Sequence, residues 1–339
     1  MKKIKFFVCV SAVCFCVFLA VSCTACTNPF VNLGSECNSV SIVSYNTQTF
    51  FDAVEDGGEF KEFKGNKSKW SKEKYAERLM RLKEAVHIAA VRLGFGETDI
   101  PDILVLQEIE SKTVIEDFCK LLPLDNSYRY AVFIPSKKQG AFSTALLSKF
   151  PVDGVKVYDV YAGNTDLRPL VECRIKLRTA KTEEEIVLLN VHWKSKVGKG
   201  ETDKIRFLQE KQAFDRLCFL EKTEPDTPFV LCGDFNQVFT EFSLLNEFPN
   251  CWDSEDYKEA AENGVQKAGS YFFKDSWEDI DHIFYSRNLK DGRNFDLTFF
   301  CVIDSPPLIN KNGEPSRYSV LSGSGYSDHL PIGCVLKLQ

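Results

Sequence analysis

The chain has 339 residues, 44% of them hydrophobic and 27% charged, with a formal net charge of −6. This composition excludes a disordered or collagen-like chain and allows a sizeable core, in one large domain or two small ones. An acidic balance also excludes a globally cationic surface, so a polyanion would have to be met by a local patch.

Met1, Lys2, Lys3, Ile4 and Lys5 make a basic start, and an apolar run follows over residues 6–21. That pattern reads as an export signal over residues 1–22. Ala20-Val21-Ser22-Cys23 resembles the lipobox of bacterial lipoproteins, with Ala20 where leucine is usual. The resemblance implies cleavage before Cys23, lipid on its thiol and a membrane-anchored place in the cell envelope; a secreted protein is the alternative. Losing Lys2, Lys3 and Lys5 takes the net charge from −6 to −9. Residues 23–39 hold Pro29 and Gly34 and read as a lipidated tether, leaving 40–339 as one domain. Nine cysteines follow Cys23 without a CxxC pair, which argues against a zinc ribbon. Cys173, Cys232, Cys301 and Cys334 sit in apolar runs and read as small buried hydrophobes.

The domain opens on an alternating strand over 40–45, with Asn46 directly after it. Residues 53–69 read as an exposed loop. From Ser71 the spacing predicts a helix with Tyr75, Leu79, Leu82, Val86 and Ala89 on one face. A buried strand over 102–108 ends in Gln107-Glu108, and a helix is expected over 112–121. Paired strands follow over 128–134 and 141–148, then strands over 155–161 and 171–177 with Leu167-Arg168-Pro169 between them. A strand over 186–191 delivers His192-Trp193-Lys194, and a helix is expected over 204–220. The run 229–232 reads as a buried strand ended by a turn at Gly233, which presents Asp234 and Asn236 together. Residues 233–265 read as helical or irregular. Asp281 and His282 follow, then a strand over 295–302, a Pro, Gly and Ser-rich loop over 304–326, and Asp328-His329 before a last strand. Many strands, two strong helices and no internal linker argue for one α/β domain with two packed sheets.

Polar groups sit at the ends of apolar strands six times: Asn46, Glu108, His192, Asp234 with Asn236, Asp281, and Asp328 with His329. Three of the four histidines belong to this set. Glu108 and Asp328 are hard oxygen ligands suited to Mg²⁺ or Mn²⁺. Asn46 and Asn236 can donate to phosphate oxygens, and an Asp beside a His can fix the imidazole tautomer.

With these residues the chain resembles the endonuclease/exonuclease/phosphatase superfamily over about residues 40–338. The carriers are Tyr45-Asn46, Gln107-Glu108, Asn190-Val191-His192-Trp193, Gly233-Asp234-Phe235-Asn236, Ile280-Asp281-His282-Ile283 and Ser327-Asp328-His329-Leu330-Pro331, in that order. The resemblance implies a four-layer α/β/β/α sandwich of two packed mixed sheets, and a Mg²⁺-dependent phosphodiesterase. Glu108 would bind the ion, with Asn46 and Asp328 close to it. His329, paired with Asp281, would contact the scissile phosphate or act as base. Asp234 would orient or deprotonate the attacking water, and Asn236 would donate to the phosphoryl oxygens. His192 would hydrogen-bond the phosphate or protonate the leaving oxygen. Arg168 matches an arginine near the phosphate in deoxyribonuclease-like members. Residues 128–130 lack the carboxylate that orients the histidine matching His192 in those members. His282 matches no fixed role and reads as packing.

Two cationic stretches could follow a nucleic-acid backbone: residues 61–83, and Lys194, Lys196 and Lys199 beside His192. The first reads equally well as a solvated helix face. The expected activity is therefore an exported surface nuclease cleaving DNA or RNA, with no sign of an obligate protein partner. The alternatives are a phospholipid-directed enzyme, sphingomyelinase or phosphoinositide phosphatase, and a non-catalytic surface binding protein. The lipid reading needs an exposed apolar hairpin, for which Phe299-Phe300 and residues 239–248 are candidates.

Overall fold

The computed structural model describes residues 38–339 other than 66, 67, 139, 164, 179–182 and 198–200. The export run, Cys23 and the tether up to residue 37 lie outside the described residues, as do Lys67 and Lys199.

Strands β1 (Ser39–Phe50), β2 (Ile103–Ile109), β3 (Tyr130–Ile134) and β4 (Ser143–Ser148) come first in the chain. They are followed by β5 (Val152–Tyr158), the short pair β6 (Tyr161–Ala162) and β7 (Thr165–Asp166), β8 (Leu170–Arg178), β9 (Glu183–His192) and β10 (Phe229–Asp234). The last are the hairpin β11 (Tyr271–Phe273) and β12 (Ser276–Glu278), then β13 (Asp281–Tyr285), β14 (Phe295–Val302) and β15 (Ile332–Leu338). One sheet has the order β14-β15-β1-β2-β4-β3 and the other β13-β10-β9-β8-β5. Each is mixed: β1 with β2 and β9 with β10 run parallel, and their other neighbours run antiparallel.

Helix α1 (Lys72–Arg92) starts where Ser71 caps the Lys74 N–H, and it buries Tyr75, Leu79, Leu82, Val86 and Ala89. With α2 (Lys112–Lys120) it joins the core of the first sheet. Helix α3 (Thr202–Thr223) packs on the second sheet through Ala213, Leu217 and Leu220. The short α4 (Glu255–Glu262) buries Tyr257. The result is four layers, helix, sheet, sheet, helix.

Alternation sorts each central strand between two cores. On β10, Val230 and Cys232 face the other sheet while Phe229 and Leu231 face α3. On β9, Ile186 and Leu188 face the other sheet while Val187, Leu189 and Val191 face α3. Burial on both faces is why these strands read as continuous apolar runs. The five cysteines Cys173, Cys232, Cys251, Cys301 and Cys334 are buried and unbridged.

Three sequence expectations need correction. Gly233 does not end β10 in a turn; the strand runs on through Asp234. At φ 140° a Cβ there would sit 2.0 Å from the Val191 carbonyl oxygen, so glycine serves a close approach to β9. Asn46 lies inside β1, which continues to Phe50 across an irregularity. The aromatic candidates for a lipid-facing hairpin are mostly core: Phe300, Phe242 and Phe248 are buried, and only Phe299 is well exposed. Among the described residues no helix is long and apolar enough to cross a membrane.

Candidate active site

The space between the sheets is apolar at one end of the strands and polar at the other. Inward positions pass from Ile42 to Ser44 to Asn46 on β1, and from Leu188 to Asn190 to His192 on β9. Gln107 bridges the sheets: its side-chain amide Nε2 donates to Ser44 Oγ at 3.2 Å and to Asn190 Oδ1 at 3.1 Å. A buried cross-sheet bond of this kind fixes how the strands sit relative to each other.

Pairing then sets the site. Asp234 lies opposite His192 on β9 and opposite Asp281 on β13, so three neighbouring strands present these side chains at one level. Glu108 comes from the other sheet by a different device. Strict alternation would turn it away, because Gln107 already faces inward. A bulge after Gln107 and a left-handed φ of 62° at Glu108 break the alternation. Its Oε1 then lies 3.7 Å from His192 Nε2. The Thr49 N–H donates to its Oε2 at 2.6 Å.

Asn46 Nδ2 donates to Asp234 Oδ2 at 2.8 Å and to Glu108 Oε1 at 3.3 Å, while its Oδ1 accepts the Gln48 N–H at 3.0 Å. Asp234 Oδ1 accepts the Asn236 N–H at 2.8 Å, and Asn236 has a φ of 50°. Asn236 Nδ2 reaches the Trp193 carbonyl at 3.3 Å. His329 Nδ1 lies 2.7 Å from Asp281 Oδ2, which also accepts from Ser270 Oγ at 2.6 Å. Tyr271 covers the His329 ring at 4.8 Å between centroids. Arg168 Nη1 donates to the Trp193 carbonyl at 2.6 Å.

Two expected residues are engaged elsewhere. Asp328 Oδ2 accepts from Arg317 Nη2 at 2.7 Å, and Asp328 is not among the donors that cluster tightly. Lys194 Nζ donates to the Ser195 and Val197 carbonyls, both at 2.8 Å, and so braces its own loop. Lys196 pairs with Glu241 at 2.9 Å. In the stretch 61–83, Lys74, Arg78, Arg81 and Lys83 all donate to backbone carbonyls, Lys74 and Arg81 to those of the loop 304–326. Those cations hold loops. Ser270, Ser327, Gln107, Asn190, Arg317 and Arg78 support the site without having stood out for that role in the sequence. Gln107, Asn190 and Ser327 stand in the motifs that carry the family resemblance and Arg78 in the cationic stretch 61–83, while Ser270 and Arg317 leave no signal beyond their polarity.

Burial dominates the electrostatics. It pushes the Asp234 carboxyl up to about 7, Asp281 adding to the rise and His329 opposing it. Burial and then Asp328 raise Glu108, against Arg168 and His329. Burial lowers His192 well below the usual range, helped by Arg168 and His329, so its ring is neutral. Burial also works against charge on His329, yet Asp281 overrides it and the ring is raised to about 10.

Donor atoms of Glu108, His192 and Asp234 lie within 4.8 Å of one another, as do those of Asp234, Asp281 and His329. Two carboxylates resisting ionisation, Asp234 buried and Glu108 partly exposed, with an imidazole beside them, fit a divalent cation well, since a positive ion would relieve the shift. A third group, Asp56, Glu59 and Glu110, is used locally: Glu59 accepts the Asp56 and Gly57 N–H groups and Glu110 accepts that of Asp52.

His282 faces away from this site, among Phe235, Phe242 and Phe284. Its Nε2 lies 2.8 Å from the Gln237 carbonyl, and burial lowers it to about 4. The unfolded chain therefore binds an extra proton between about pH 4 and 6.5, and stability is lost as pH falls through that window, by up to about 3 kcal/mol. His282→Leu should be less stable at neutral pH but lose less on acidification, as read by urea unfolding at about pH 7 and 4.

A family model described as "Endonuclease/Exonuclease/phosphatase family" matches residues 41–338. No curated protein matches the chain. Among solved structures, truncated TDP2 from Caenorhabditis elegans superposes with a TM-score of 0.54 at 18% identity, covering 88% of this chain and 97% of that one. The human Nocturnin catalytic domain with bound sulfate gives 0.53 at 16% identity, covering 89% and 95%. An endonuclease/exonuclease/phosphatase from Beutenbergia cavernae gives 0.50 at 15%, covering 89% and 72%. At these identities the likeness is one of fold.

Proposed function

Because the chain belongs to the endonuclease/exonuclease/phosphatase family, we propose that it is a divalent-metal-dependent phosphodiester hydrolase acting on nucleic acid, exported and held at the cell envelope by lipid on Cys23. The observation that carries the hydrolase reading is the row His192, Asp234, Asp281 on adjacent strands, faced by Asn46 and the re-aimed Glu108.

Glu108, with Asn46 and Asp328 near it, would hold Mg²⁺ or Mn²⁺. Such an ion supplies charge neutralisation at the phosphoryl oxygens. Asp234 orients the attacking water and takes its proton. Asn236 donates its amide to a phosphoryl oxygen. His329, kept protonated by Asp281, donates to the same phosphate, where charge grows in the transition state. His192 is neutral, so it serves as a hydrogen-bond partner of the phosphate or leaving oxygen rather than as a charged acid. Arg168 sets positive charge beside Glu108 and Asp234.

The test is a metal-dependent panel over plasmid DNA, RNA, sphingomyelin vesicles and phosphoinositides. Cleavage of DNA or RNA that needs Mg²⁺ and is lost in Glu108→Gln supports the proposal. Choline or phosphate release from lipid without nucleic-acid cleavage would move the assignment to the phospholipid enzymes. No cleavage of any of the four would reject it.

A further inference from the structure

Arg78 on α1 is one of the largest fully buried side chains, with 2% of its surface exposed. Among the described residues no carboxylate pairs with its guanidinium. It donates instead to three consecutive backbone carbonyls: Thr47 at 2.9 Å, Gln48, and Thr49 at 3.0 Å. Its Cζ stacks 4.5 Å from the Phe50 ring centroid and 3.9 Å from that of Tyr318. A buried cation is expensive unless its surroundings are polar and fixed. Here it is spent on a single turn.

That turn is unusual. Gln48 and Thr49 both have left-handed backbones, with φ of 54° and 48°. For Thr, a β-branched residue, positive φ is strained and persists only where the surroundings enforce it. The strain has a visible result: it aims the Thr49 N–H at Glu108 Oε2 and the Gln48 N–H at Asn46 Oδ1. Both N–H groups thus orient side chains of the candidate metal site. The turn is also clamped from the far side, where the Gln48 amide donates to the Tyr318 carbonyl at 3.1 Å and accepts the Tyr318 N–H at 2.9 Å.

We propose that Arg78 is a positioning residue for divalent-cation binding: it holds the Thr47–Thr49 turn in the strained form that orients Glu108 and Asn46. This rests on Glu108 as the metal ligand. The positive charge also lies within reach of Glu108 and Asp328. A lysine could occupy the same pocket, but its single ammonium cannot match the planar fork that spans three carbonyls.

The experiment is Mn²⁺ titration of the full chain by calorimetry, without substrate. Partners that orient metal ligands are worth about 10- to 100-fold in affinity. Arg78→Met should fall toward the upper end, and Arg78→Lys and Gln48→Ala by about tenfold. Should Arg78→Met not fold, the last two variants carry the test. Leu82→Ala, which empties a core position one helical turn beyond Arg78 on the same helix and removes no hydrogen bond to the 47–49 turn, is the stability control and should bind Mn²⁺ like the parent. Parental affinity in Arg78→Lys and Gln48→Ala, or an equal loss in Leu82→Ala, would overturn the proposal. If Glu108→Gln itself binds Mn²⁺ like the parent, the metal reading fails instead.

Discussion

Asp234→Asn is expected to lower turnover by about 10²- to 10⁴-fold, the range of a positioned general base. The exchange keeps shape, and the backbone bonds around it remain available, so the variant should fold. The carboxylate accepts the Asn236 N–H and the Asn46 amide, which fix both oxygens. Burial raises its pKa to about 7, the range where a base combines the right protonation state with a useful proton affinity. The sign follows: the ionised form is the base, so the parent's rate should rise as pH climbs through about 7. The reaction requires Mg²⁺, and a neighbouring cation favours the carboxylate, so in the metal-loaded enzyme that limb should lie at or below this pH. In Asp234→Asn the limb should be absent. Steady-state rates across pH check both points, and a variant that kept the limb would assign the base elsewhere.

His329→Ala should lose about 10²- to 10³-fold, as for removal of one donor aimed at developing charge. The more discriminating variant is Asp281→Asn. Burial alone would discharge the His329 ring, and the Asp281 carboxylate 2.7 Å away is what raises it to about 10. The parent should therefore keep its activity until pH approaches that value. Without that negative charge the ring loses its proton at lower pH, and the alkaline limb should move down. The Ser270 hydroxyl, which donates to Asp281 at 2.6 Å, could still reach an asparagine oxygen. A limb that stayed in place would mean that His329 does not act in its charged form.

The strands and helices were legible because both periodicities were clean. Residues 72–92 show one apolar face, and short apolar runs such as 229–232 and 186–191 read as strands buried on both sides. The placement of polar groups at strand ends was legible too. What was hidden is local backbone geometry. Gly233 read as a turn because a sequence does not show how closely the backbone of Val191, its partner on β9, approaches it. Glu108 follows an inward Gln107, and only the bulge brings both to the same side. The charges of residues 61–83 read as a possible polyanion face because sequence cannot show that Arg78, Lys74 and Arg81 are turned onto carbonyls. Asp328 and Lys194 were likewise placed at the right end of the molecule, yet their partners, Arg317 and the 195–197 loop, come from segments without periodicity.

The most direct test is a crystal of the full chain grown with Mn²⁺, with the ion located by anomalous scattering. The account predicts one strong peak in direct contact with a Glu108 oxygen, within reach of Asp234 and Asn46. A peak bonded instead to Asp56, Glu59 and Glu110, with none at Glu108, would contradict it.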